Sequence, residues 1–75
     1  MDVLEKQRLA RRLRSARLMS GLTQHQVAVA AELGSATVVS GIECAKRSPE
    51  PATLARIAAA LGVREEWLAT GEGRP

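Results

Sequence analysis

The chain has 75 residues, 45% of them hydrophobic and 25% charged, with a formal net charge of +3. This length makes one small domain with a modest core, its stability toward the low end of the ~5–15 kcal/mol of ordinary domains. One cysteine and one histidine exclude an internal disulfide and a zinc site, and neither an apolar run of ~18 residues nor a secretory core segment occurs.

The first predicted element is a helix over Val3 to Met19. Asp2 caps it, with Glu5 three residues on as in a capping box. Leu9, Leu13 and Ala16 recur at helical spacing and face inward, arginines fill the other faces, and Gly21 ends the helix. The second helix opens on "LTQHQV", where Thr23 is the N-cap, Gln26 its partner, and Leu22 and Val27 the two staple positions. It continues through "AVAAE", whose alanines allow close packing.

Leu33 and Gly34 form the next turn, and Ser35 caps a third helix with Val39 and Ile42 toward the core and Val38 on the flank. "CAKRSPEP" is a loop ending at Pro51, which suits the first turn of a fourth helix. Leu54, Ile57, Ala58 and Leu61 form the apolar stripe of that helix, and Gly62 closes it. "REEWLAT" is a short fifth helix, and residues 71–75 are a tail. The expected fold is all-α, a compact five-helix bundle in one domain over residues 1–70.

The charge is unevenly placed. Residues 1–20 carry six Lys/Arg against Asp2 and Glu5, residues 21–47 balance, and residues 48–75 carry three Arg against four Glu. A basic front and a neutral-to-acidic rear suit a polyanion on one side; a solvated helix face is the competing reading.

A capped helix, a short turn and a second short helix inside a bundle of this size have the layout of a helix-turn-helix. The segments "LRSARLMSGLTQHQVA", "TVVSGIECAKRSPEP", "ATLARIAAALGV" and "EEWLATGEG" together resemble the Cro/phage-repressor helix-turn-helix family, also called the xenobiotic-response-element family. The resemblance covers about residues 10 to 73. It implies a lambda-repressor-like DNA-binding domain in which Gln24 touches a phosphate and Lys46 and Arg47 hold the backbone on the other side. It also implies that Ser35, Ala36, Thr37, Ser40 and Gly41 face the bases, and that Arg17 and Glu43 form an internal ion pair.

The chain departs from the family pattern in three places. The turn "ELGS" is one residue longer than usual. Cys44-Ala45 replaces the usual polar-Gly pair after "IE", at a position where glycine normally takes a positive φ. Third, the recognition positions lack long polar side chains. Small residues let the helix sit deeper in the major groove. Thr37 and Val38 would then meet thymine methyls, and Ser35, Thr37 and Ser40 would hydrogen-bond to bases or phosphates. Each such contact discriminates less than a bidentate Arg–guanine pair, worth ~1–3 kcal/mol. The expectation is modest sequence preference supported by DNA shape and dimer spacing, with strong salt dependence.

His25 reads as a surface histidine, with a phosphate contact as the alternative, and Cys44 as inert, with a redox switch as the alternative. Of the helix 1 arginines, some of Arg8, Arg11, Arg12 and Arg14 are candidates to approach DNA. Val63, Trp67 and Leu68 form an apolar patch suited to a two-fold interface. The leading expectation is a homodimeric transcriptional repressor or autoregulator that occupies a palindromic double-stranded operator through helix 3. Such a protein would be cytoplasmic, at the nucleoid, without cofactor, metal or membrane. A restriction–modification controller, an antitoxin, or an interaction module that has lost specific DNA binding are the alternatives, with polymerase or a toxin as protein partner. No nucleophile–base pair, carboxylate pair or glycine-rich phosphate loop points to an enzyme.

Overall fold

The computed structural model describes residues 1–75 and contains five helices: α1 (Val3–Met19), α2 (Gln24–Ala30), α3 (Ala36–Glu43), α4 (Pro51–Leu61) and α5 (Glu65–Thr70). The caps explain where they begin. Asp2 accepts a hydrogen bond from the Glu5 N–H at 2.8 Å, and only this half of the box forms. At α2 both halves form: the Gln26 N–H donates to Thr23 Oγ1 at 3.1 Å, and the Thr23 N–H to Gln26 Oε1 at 2.9 Å. Ser35 caps α3, and Pro51 opens α4.

The helices end on a repeated device. After α1, α2, α3 and α4, the chain turns through a left-handed residue, and two N–H groups reach back to the last free carbonyls, as in a Schellman motif. Gly21 (φ 70°) and Gly62 (φ 68°) take that role after α1 and α4. After α2 and α3 it falls to Glu32 (φ 57°) and Ala45 (φ 59°). The turn thus pivots on Glu32 rather than on the expected Leu33-Gly34 pair. Gly34 is not left-handed, and a methyl group there would meet nothing within 4 Å. Ala45 keeps the left-handed conformation despite its Cβ, so α3 ends as a glycine-terminated helix would.

The core forms where the helical stripes meet. Leu9, Leu13, Val27, Val39, Ile42, Ile57 and Leu68 are fully buried. α3 packs on α1 and α2, α4 on α2 and α5, and α5 returns to α1. The Cα radius of gyration of 10.7 Å matches the ~11 Å of a chain this long packed as one body. No helix is long and apolar enough to cross a membrane.

Candidate nucleic-acid interface

α3 is the shortest route to the site, because its inward face is fully committed. Val39 and Ile42 have no exposed surface, and the Glu43 side chain is 2% exposed. Helical geometry then turns Thr37, Ser40, Gly41 and Cys44 outward. Thr37 and Cys44 are exposed, and Ala36, Ser40 and Gly41 half-buried. Cys44 joins this face because it lies two turns beyond Thr37. Ser35 is exposed, but its hydroxyl is engaged: it accepts from the Thr37 N–H at 3.1 Å and donates to Thr37 Oγ1 at 2.8 Å. The Thr37 hydroxyl hydrogen and methyl remain free.

A buried carboxylate fixes this face against the rest of the fold. Arg17 Nε donates to Glu43 Oε2 at 2.7 Å and Arg17 Nη2 to Oε1 at 3.0 Å, a bidentate pair. Arg17 Nη1 donates to the Leu22 carbonyl at 3.0 Å, and Gln24 Nε2 to Glu43 Oε1 at 3.3 Å. One carboxylate therefore joins α1, the start of α2 and the end of α3. Hydrogen bonding to Glu43 holds the Arg17 guanidinium above its ordinary pKa, against the opposing effect of burial. The Gln24 amide, placed on a phosphate by resemblance, is half-buried and turned toward Glu43. His25 is exposed beside it.

Lys46 and Arg47 are exposed in the loop after α3. The Arg47 stem lies across Gly41, where an added methyl would meet Cδ at 2.8 Å. Arg47 also borders a cleft of about 510 Å³ between the α2–α3 turn and the α3–α4 loop, whose rim carries Glu32, Glu50 and Arg56. Its mixed charge leaves it without a single-sign ligand preference. No group of three His, Cys, Asp or Glu side chains is placed to hold a metal ion.

Two residues are not where the sequence put them. Arg12 is not free for DNA: its Nε donates to the Leu68 carbonyl at 2.8 Å and its Nη2 to the Ala69 carbonyl at 2.9 Å. It satisfies carbonyls at the end of α5, and burial, with the charge of Arg8, lowers its pKa. Arg8, Arg11 and Arg14 are the exposed arginines of α1. Leu68 offers nothing to a partner, being 0% exposed inside the protomer's own core. Val63 and Trp67 are half-buried and keep exposed edges.

A capped short helix, a turn, and a second short helix whose outer face is small, polar and turned to solvent define a helix-turn-helix. The model of the helix-turn-helix domain family matches residues 8–70. The chain belongs to that family, DNA-binding regulators of the Cro/phage-repressor, xenobiotic-response-element-like kind. Among solved structures it is similar to the restriction-modification controller protein C.AhdI from Aeromonas hydrophila. The two are 26% identical, the match covers 88% of this chain and 94% of that one, and the TM-score is 0.82. No curated protein matches the chain.

Proposed function

We propose that the protein is a sequence-specific transcriptional regulator that binds a palindromic double-stranded operator as a homodimer, with α3 in the major groove. The carrying observation is the outward face of α3, exposed at Thr37 and Cys44 and held in place by the Arg17–Glu43–Gln24 cluster. Residues 1–70 are the DNA-binding unit and residues 71–75 a tail. Thr37, Ser40 and Gly41, with Ser35 and Ala36 at the helix entrance, face the bases. Lys46 and Arg47 bring positive charge to the same surface, and Gln24 turns from Glu43 to a phosphate when DNA arrives. Val63 and Trp67 contribute to the two-fold contact, which sets the recognition helices ~34 Å apart. The protein acts by occupying a promoter in the cytoplasm, its own promoter included.

The likeness to C.AhdI across nearly the whole of both chains favours a restriction–modification controller within this class, able to set the expression of neighbouring genes. Fluorescence anisotropy against the gene's own upstream DNA and a scrambled duplex, at two salt concentrations, tests the proposal. Tighter, salt-sensitive, dimer-like binding to the native duplex is expected. Equal weak binding to both duplexes would refute operator reading and support an interaction module.

A further inference from the structure

Gly41 stands in the middle of α3, where glycine weakens a helix relative to alanine. Backbone conformation does not require it, since it is not among the positive-φ glycines. What the glycine provides is room. A methyl group on Gly41 would lie 2.8 Å from Cδ, 3.0 Å from Cγ and 3.2 Å from Nε of Arg47. The backbone holds this arrangement: the N–H groups of Lys46 and Arg47 both donate to the Gly41 carbonyl, at 2.9 and 3.2 Å. The left-handed Ala45 (φ 59°) folds the loop back to make those bonds. A loop residue thus lays its stem over the flank of the outward face of α3. On the outward face the side chains of Thr37, Ser40 and Cys44 are short, and on its other side Arg47 borders the cleft that carries Glu32, Glu50 and Arg56. The chain's ion pair joins Arg17 to Glu43, and the exposed Arg47 guanidinium takes no part in it.

We infer that Arg47 is a base-reading residue: seated by Gly41, its guanidinium supplies the long donor that α3 lacks and recognises a guanine through O6 and N7. The inference rests on the DNA-binding reading above and moves Arg47 from the DNA backbone to a base edge. The planar fork of arginine matches the two major-groove acceptors of guanine, which the lysine ammonium does not. A stem already laid against the helix loses less freedom on binding. A phosphate contact would position the protein without carrying sequence information, so the two roles of Arg47 differ in what its replacement does to base preference.

The full chain and its R47K, R47A, G41A and G41A/R47A variants are each used to select duplexes from a random pool. Affinity is then measured on the wild-type selected duplex, on versions with each guanine replaced, and on a random duplex. Wild type should select a guanine-containing motif. R47K keeps the charge and should lose roughly 5–150-fold on the selected duplex, the equivalent of about 1–3 kcal/mol, with little change on the random one. The selected motif should relax only at that guanine. G41A should remain folded, displace the flexible Arg47 side chain, and lose specificity as R47K does, yet add nothing in the R47A background. Wild-type specificity in R47K, or an equal effect of G41A with and without Arg47, would overturn the assignment while leaving operator reading intact. Failure of wild type to select any motif would overturn both.

Discussion

Ala45 takes a left-handed conformation, φ 59°, at the end of the recognition helix. A Cβ in that region costs roughly 1–2 kcal/mol. Ala45→Gly removes that cost but adds about 0.4–1 kcal/mol of unfolded-state freedom. It also removes a methyl that is half-buried, about half of the ~0.8 kcal/mol of a buried carbon. The balance is a stabilisation of about 0.5 kcal/mol. For a domain this size that raises Tm by roughly 2–4 °C. Thermal unfolding followed by far-ultraviolet circular dichroism reads it directly, at one fixed protein concentration so that self-association does not contribute. Ala45→Val adds a β-branched side chain in the same conformation and should lower Tm by more than the glycine raises it. A glycine variant less stable than the valine variant would refute the reasoning, because left-handed strain orders them the other way.

Glu32→Gly should stabilise by a similar few tenths of a kcal/mol, and Gly34→Ala should not destabilise, because Gly34 has neither positive φ nor a close neighbour; urea midpoints of both variants check this. Glu43→Ala strands Arg17 without its partner, and with side-chain exposures of 12% and 2% it should cost about 3–5 kcal/mol. Replacing the pair together as Arg17→Met/Glu43→Leu should recover much of that loss in the same urea titration; a double variant as unstable as the single one argues against the pair. Arg12→Met keeps the stem and loses two carbonyl bonds, so α5 should gain amide exchange and stability should drop by about 1–3 kcal/mol. Leu68→Ala should cost about 2–5 kcal/mol with the sedimentation mass unchanged; a variant of normal stability that falls to monomer would place Leu68 at an interface instead.

The helix boundaries were legible because local chemistry writes them. Thr23 with Gln26, Pro51, Gly21 and Gly62 each mark an end through groups a few residues apart. The core stripes were legible for the same reason, since Leu54, Ile57, Ala58 and Leu61 lie on one face of any helix that contains them. The turn before α3 was misplaced because glycine is the usual sign of a left-handed residue, and here a glutamate holds that conformation two positions before Gly34. Leu68 was misread because a helix of six residues has too few turns to fix which face is inward. Arg12 was missed because its acceptors are backbone carbonyls 56 and 57 residues away, and carbonyls leave no mark in a sequence. The Arg17–Glu43 pairing could be expected only through resemblance, since nothing local joins residues 26 apart. The seating of Arg47 on Gly41 was beyond sequence reading altogether, because it depends on Ala45 turning the loop back.

The cluster around Glu43 also bears on how such a protein could diversify. Of the eight residues in α3, Val39 and Ile42 are committed to the core and Glu43 to the junction of three helices. Ser35, just before them, is occupied as a cap. A duplicated gene drifting toward a new target therefore has few positions in which to vary, Thr37 and Ser40 in the helix and Cys44 at its cap, since Ala36 and Val38 pack against the core and Gly41 seats Arg47. The orientation of the helix that displays them is inherited unchanged. Because the present side chains are small, most single substitutions at these positions add atoms rather than remove them, so new preferences can arise by gain without first dismantling the frame that presents them.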